Sequence, residues 1–270
     1  MQIAPKYGIL YRTDCKSKTL DNNYVSVLWR KHMDAKAIIF DKDGTLLDFN
    51  AFWITVSVYA INDILKKVGK EDIDPQEILS AWGVHDGKAD VNGLLCKGTY
   101  EQMGFALHEV LKAHGAKLSP EETVCLTAQA YTEQAEAGEI KPTCENLREV
   151  LVRLKERGIK LAVVTTDNKE ITHKCLEKLE VFDLFDRVFT DDGNTPVKPD
   201  PWCVTELSQS FGILPQNMVM VGDTMTDILF ARNAGIFVIC VGDSAETGKQ
   251  ADAFIPDVSH IFEVIGEKSL

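Results

Sequence analysis

Hydrophobic and polar positions along the chain follow two rhythms. Residues 37–40, Ala-Ile-Ile-Phe, are apolar at every position and stop at Asp41-Lys42-Asp43-Gly44-Thr45. A strand buried on both faces reads this way. From 52 to 69 the apolar residues Phe52, Val56, Tyr59, Ala60 and Ile64 recur at helical spacing. Further helical patterns lie near 75–82, 100–114 and 120–137. The last opens with Ser119 as N-cap, Pro120 at the first helical position and Glu121 and Glu122 in the first turn. The stretch 50–140 is therefore predicted to be mostly helical, with no strand of its own.

Beyond 140 the rhythm alternates. Helices are predicted over 145–157, 169–179, 201–212 and 227–234, and strands over 160–164, 188–190, 218–221 and 238–241. Alternating strands and helices predict an α/β fold, a doubly wound, mostly parallel sheet with a Rossmann-like core. Ligands of such sheets bind outside the carboxyl ends of the strands. Three predicted strands end there in polar residues, Asp41/Asp43, Thr165 and Asp223, and Lys198 follows a fourth. Residues 1–36 show no sustained period, and Met33 would make a natural start, so 1–33 reads as an N-terminal extension. The core is then 34–49 with 141–270, interrupted by the helical stretch 50–140.

Composition narrows the partners. A net charge of −12, from 41 acidic and 29 basic side chains, argues against a nucleic-acid binder and against attraction to an anionic membrane. No apolar run approaches the roughly 20 residues of a membrane span. The 7 cysteines are widely spaced without a CxxC, which reads as reduced thiols in a cytoplasmic protein.

Two carboxylates two residues apart at the end of a buried strand repel one another, and their desolvation costs several kcal/mol each unless something compensates. Taken singly, the residues have ordinary explanations: Asp41 and Asp43 in a surface turn, Lys198 solvated, Asp223 as a helix N-cap. Together they carry what phosphoryl transfer needs, namely a nucleophile, positive charge for the phosphoryl oxygens and a proton for the leaving oxygen. Asp41, Asp223 and the Asp43 carbonyl offer hard oxygen ligands of the kind Mg²⁺ takes. Lys198 offers a point charge and Thr165 a hydroxyl. If the chain stays extended, Asp43 points to the same side as Asp41.

The motifs resemble those of the haloacid dehalogenase superfamily. Asp41-Lys42-Asp43-Gly44-Thr45 matches the first motif, and Thr165 after LAVV the second. Lys198 in VKPDP matches the third, and VGDTMTD, with Asp223 and Asp227, the fourth. The resemblance implies Asp41 as nucleophile, Asp43 as general acid/base, and Thr165 and Lys198 as phosphate ligands. Mg²⁺ would be held by Asp41, the Asp43 carbonyl and Asp223, with Asp227 as a further ligand or support. It also implies that 50–140 is a helical cap. The loop Trp82-Gly83-Val84-His85-Asp86-Gly87-Lys88 resembles the specificity loop of such caps, so His85 and Lys88 are candidate substrate contacts. Thr166 stands where capped relatives often carry Asn, and is a candidate substrate contact as well. Asp48, Phe49 and Trp53 mark the passage into the cap, where packing accounts for them.

The implied activity is a Mg²⁺-dependent phosphatase acting on a small phosphorylated metabolite, similar to phosphoglycolate phosphatases, through an aspartyl phosphate. A sugar phosphomutase similar to β-phosphoglucomutase is the alternative. A phosphorylation-controlled receiver module is the non-enzymatic one, although receivers are much shorter and have no cap. Neither the substrate nor the oligomeric state is written in these motifs.

Overall fold

The computed structural model describes residues 34–134 and 137–266; the expected extension at 1–33 lies outside the described residues. Six strands form one wholly parallel sheet. They are β1 (Ala37–Phe40), β4 (Lys160–Asn168), β5 (Arg187–Asp191), β6 (Met218–Gly222), β7 (Phe237–Val241) and β8 (Ala253–Ile255). Their order is β5-β4-β1-β6-β7-β8. The chain winds outward from β1 to one side, then returns past it to the other. The crevice at that reversal opens at the carboxyl ends of β4, β1 and β6.

Alternation of side chains along each strand divides the core into two layers. Ile38, Phe40, Leu161, Val163, Val219 and Val221 face one side, where α6 (Leu147–Glu156) and α11 (Ile261–Ile265) cover them. Ala37, Ile39, Ala162, Val164, Met218 and Met220 face the other, under α8 (Trp202–Phe211) and α9 (Met225–Ala234). Both faces of β1 are thus sealed, which explains why it reads as an unbroken apolar run. Each of the larger side chains among them, Val, Leu, Ile, Met or Phe, contributes about 1.5–3 kcal/mol by leaving water.

Between β1 and α6 lie α1 (Thr55–Lys67), α2 (Pro75–Ala81), α3 (Leu94–Lys97), α4 (Tyr100–Ala113) and α5 (Pro120–Gln134). They share a separate apolar cluster that includes Phe52, Val56, Ile64, Trp82, Leu107 and Tyr131. Trp82 is fully buried and its indole donates to the Met103 carbonyl at 2.9 Å. Ser119 caps α5 as its sequence signals: its amide donates to Glu122 Oε2 at 2.7 Å and its hydroxyl accepts from the Glu122 amide at 3.2 Å. Two chain segments run side by side between this cluster and the sheet. The Asp48 amide donates to the Lys141 carbonyl at 2.9 Å, and the Thr143 hydroxyl donates to the Thr45 carbonyl at 2.6 Å.

The sequence reading needs correction in five places. β4 runs on to Asn168, four residues past its predicted end at 164, and Asn168 still pairs with Asp191 of β5. The helical stretch does contain strands: β2 (Val84–His85) and β3 (Lys88–Ala89) form an antiparallel hairpin. Asp86 and Gly87 at its turn both have positive φ, 50° and 73°, the hairpin geometry that Asp-Gly favours. Two-residue strands are too short to carry an alternating pattern. A π-helical turn, Asn50–Ile54, precedes α1. Helix α9 begins at Met225, two residues earlier than predicted, and its N-cap is Thr224, not Asp223. The edge strand β8, the short helix α10 (Ala245–Gly248) and α11 lie beyond the last predicted element. β8 lacks the unbroken apolar run of four or more residues that marks β1 and β6, and the two helices span little more than one turn each, too short for a helical period to show.

Candidate active site

The end of β1 places the first carboxylate. The ladder to β6 continues one residue past the strand, with the Asp41 amide donating to the Val221 carbonyl at 2.9 Å. The chain then turns sharply. Leu46 and Leu47 both donate to the Lys42 carbonyl, and Gly44, at φ +79°, sits where only glycine avoids strain. A Cβ at Gly44 would lie 2.2 Å from Asp223 Oδ2. The glycine therefore lets the loop lie directly against the carboxylate that ends β6. Next in sequence, the buried Thr45 donates its hydroxyl to Asp223 Oδ1 at 3.2 Å.

Lys198 reaches the same point from the loop after β5. Its buried ammonium donates to Asp41 Oδ1 at 2.5 Å and to Asp227 Oδ1 at 2.7 Å. The other oxygen of Asp227 accepts from the Thr224 amide at 3.0 Å and its hydroxyl at 2.7 Å. Asp227 thus serves as N3 of a capping box at the start of α9 and as an anchor for Lys198.

One ammonium does not balance this cluster. Asp41, Asp223 and Asp227 each offer a carboxylate oxygen within 4.8 Å of the others. Burial pushes the Asp41 carboxyl up to about 7 against the pull of Lys198, with Asp227 and Asp43 adding to the rise. Burial, then the charges of Asp41 and Asp227, raise Asp223 well above the ordinary carboxylate range. Lys198 goes the other way: burial disfavours its charge, but Asp227 and Asp41 outweigh that and hold it above the ordinary lysine value. Convergent hard oxygens with surplus negative charge are the donor set that suits a hard divalent cation.

A second group of charges adjoins the first. Lys42, fully buried, lies 2.6 Å from Asp43 Oδ2 and 3.1 Å from Asp167 Oδ2. The other oxygen of Asp43 accepts from the Trp53 indole at 3.1 Å, and Trp53 belongs to the π-helical turn. Burial opposes the charge on Lys42, yet Asp43 and Asp167 hold its ammonium above its ordinary value. Burial raises Asp167, helped by Asp43 and opposed by Lys42. Thr165 is buried toward the carboxyl end of β4, two residues before Asp167, and its hydroxyl oxygen accepts from the Asp167 amide at 3.2 Å.

The profile of the haloacid dehalogenase-like hydrolases matches residues 35–235. The chain belongs to this family. Among its relatives is a phosphoglycolate phosphatase of Nitrosospira multiformis, 29% identical over 239 residues, an alignment covering 87% of this chain and 97% of that protein. The pyrophosphatase PpaX of Halalkalibacterium halodurans is 25% identical, covering 88% of this chain and all of the relative. Among solved structures, a haloacid dehalogenase superfamily hydrolase of Geobacter sulfurreducens superposes with a TM-score of 0.62. It is 20% identical, over 88% of this chain and 100% of the other, and so bears on the fold.

In this hydrolase the fold brings Asp41, Lys198, Asp223 and Asp227 into one cluster, with Asp43 in the loop after β1 and Thr165 near the carboxyl end of β4. Thr166 is exposed next to Thr165. His85 and Lys88 are exposed on the β2–β3 hairpin, and among the described residues neither bonds to the acidic cluster. Two other residues of the insert lie in the field of the site. Burial pushes the Cys96 thiol up to about 11, with Asp223 contributing. Burial also raises the Tyr100 hydroxyl, with Asp167 contributing. Sequence reasoning missed these two, together with Lys42, Asp167 and the contact of Trp53 with Asp43. The spacing of Thr224 to Asp227, which matches a capping box, was the signal available for the start of α9.

Proposed function

We propose that this hydrolase is a Mg²⁺-dependent phosphatase that cleaves a small phosphate monoester through an aspartyl phosphate on Asp41. The observation that carries this reading is the setting of Asp41: a buried carboxylate at a strand end, with Lys198 on one oxygen and Asp223 beside it. The names of the phosphoglycolate phosphatase and pyrophosphatase relatives support phosphate release as the activity.

In the first half-reaction an Asp41 oxygen bonds to phosphorus as the bond from phosphorus to the leaving oxygen breaks. Asp43, protonated at that stage, gives its proton to the leaving oxygen. In the second half a water oxygen bonds to phosphorus, Asp43 takes the water proton, and the bond to Asp41 breaks. Lys198 and the Thr165 hydroxyl hold phosphoryl oxygens. Asp227, both of whose oxygens are engaged, acts by fixing Lys198. Asp41, Asp223 and the Asp43 carbonyl would hold Mg²⁺, which when bound neutralises charge on the phosphoryl group and in the acidic cluster.

The insert 50–140 acts as the cap over this site. Its exposed hairpin carries His85 and Lys88 as candidate substrate contacts, and Thr166 is a third. A phosphoglycolate-like substrate is the reading favoured by the relatives.

The test is a panel of phosphate esters assayed with Mg²⁺ and with EDTA. Inorganic phosphate should appear with multiple turnovers, without a bisphosphate primer, and only with the cation. Asp41→Asn should lose roughly 10⁴-fold or more of kcat, as removal of a covalent nucleophile does. Acid-quenched wild-type protein should carry hydroxylamine-labile phosphate. Appreciable turnover by Asp41→Asn would overturn the covalent mechanism, and a primer requirement would point to a mutase instead.

A further inference from the structure

Lys42 stands between the two aspartates of the first motif, and its side chain leaves that line. The ammonium is buried with no exposure at all, 2.6 Å from Asp43 Oδ2 and 3.1 Å from Asp167 Oδ2, with the Phe52 ring centroid 5.6 Å away. Neither carboxylate contact is an aligned hydrogen bond, so the attraction is one of charge. Burying an ammonium is costly, and an apolar side chain would fill this slot between Phe52 and the buried Cys175 more cheaply. Asp167 is itself fixed, because its Oδ1 accepts from the Asn168 amide at 2.9 Å. On the far side of Asp43, the Trp53 indole holds the remaining oxygen.

Resting on the phosphatase reading above, we propose that Lys42, backed by Asp167, is a positioning residue for Asp43. Its ammonium pins one oxygen of that carboxylate while Trp53 pins the other, so the proton-transferring group is aimed by both the sheet and the turn leading into α1. Among the described residues each oxygen of Asp43 has one partner, one from the loop after β1 and one from the π-helical turn before α1. Loss of Lys42 frees one oxygen and leaves Asp43 facing the carboxylate of Asp167 across the vacated space. Asp43 then turns away from the leaving oxygen, while Asp41, Lys198 and Asp223 keep their contacts.

This role differs measurably from simple support of the fold. A well-aimed acid matters for an alkyl phosphate, whose alkoxide leaves poorly, and little for p-nitrophenyl phosphate, whose leaving group needs no proton. In Lys42→Met, kcat/KM for glycerol phosphate should fall roughly 10²-fold, the size of effect that general acid catalysis and its alignment carry. For p-nitrophenyl phosphate it should fall less than about 5-fold, because the acid contributes little to that reaction. Adding Lys42→Met to Asp43→Asn should cost nothing more, since the two act as a unit. Asp167→Asn, which keeps the ammonium, gives a second measure, with a smaller loss of the same selectivity, should Lys42→Met fail to fold. Equal losses on both esters in these variants, or full additivity with Asp43→Asn, would overturn the proposal while the phosphatase reading stands. If wild-type protein with Mg²⁺ released phosphate from neither these esters nor the wider panel, the phosphatase reading itself would fall.

Discussion

Gly44→Ala tests the central geometric claim, that the first-motif loop lies against the carboxylate ending β6. The added Cβ meets two penalties. At φ +79° a residue with a Cβ costs about 1–2 kcal/mol relative to glycine. The Cβ would also lie 2.2, 2.6 and 2.9 Å from Oδ2, Cγ and Oδ1 of Asp223, where ordinary contact begins at 3.4 Å. The carboxylate must therefore retreat by about 1.2 Å, the difference between 3.4 and 2.2 Å. It is not free to do so, because Thr45 holds Oδ1 and the Gly44 amide is tied to the Leu47 carbonyl. Overpacking of this kind costs about 1–3 kcal/mol. The two together should lower stability by about 3 kcal/mol, or Tm by roughly 6–12 °C. Displacing Asp223 by that distance should lower kcat by roughly 10²-fold and raise the Mg²⁺ concentration for half-maximal activity by roughly tenfold or more. Thermal melts and phosphate release across a Mg²⁺ titration provide both readings. Gly193→Ala supplies the control: φ is +71°, but nothing lies within 4 Å of its Cβ position. That variant should show the strain alone, about 1 kcal/mol, with unchanged Mg²⁺ dependence. Gly44→Ala with wild-type kcat and Mg²⁺ dependence would refute the geometry.

Three further outcomes are expected. Asp186 accepts from Lys155 at 2.6 Å, Lys160 at 2.9 Å and the Leu161 amide at 2.9 Å. Partial burial favours its protonated form, but those donors outweigh it and hold the carboxyl below its ordinary value. Its stabilisation is therefore complete above the unfolded-state value and lost as pH falls through the lower folded-state value. Asp186→Asn should cost about 1–3 kcal/mol at neutral pH in urea unfolding, with the gap to wild type closing below about pH 4. Ser119→Ala removes the cap of α5 and should cost about 1 kcal/mol in the same assay. His85→Ala and Lys88→Ala should reorder substrate preference across the ester panel, and an unchanged ranking would remove the hairpin from substrate recognition.

The parts of the site legible in the sequence are those governed by local physics. A run apolar at every position ending in acid marks a doubly covered strand whose tip meets the crevice, and 37–45 and 218–223 both have this form. Asp41, Asp223 and the doubly wound core were readable for that reason. Lys198 and Thr165 were readable from the motifs around them. The hairpin at 84–89 left only its Asp-Gly turn as a trace. The sequence places the start of α9 two residues late because Asp227 reads as a first-turn acid, whereas it is N3 of a capping box that opens at Thr224.

Lys42 and Asp167 were hidden for a different reason, which the strand register makes plain. β1 pairs with β4 so that Phe40 lies opposite Val163, and with β6 so that Phe40 lies opposite Val221. Two residues further along all three strands, the loop holding Lys42 stands between Thr165 and Asp223. No local pattern in any one strand encodes that offset. It follows from how deeply each strand is inserted into the sheet, and a shift of one residue would turn every side chain to the other face. A lysine between the two aspartates of the first motif shows no partner in the sequence until the fold brings Asp167, two residues past Thr165 on β4, to its ammonium. With the fold known, its charge has a half-buried partner on each side, one in its own loop and one on β4. Two registers are at work: that of β1 against β6 brings Asp41 to Asp223, and that of β1 against β4 brings Lys42 toward Asp167, so the two charge groups adjoin because β1 lies between both partners.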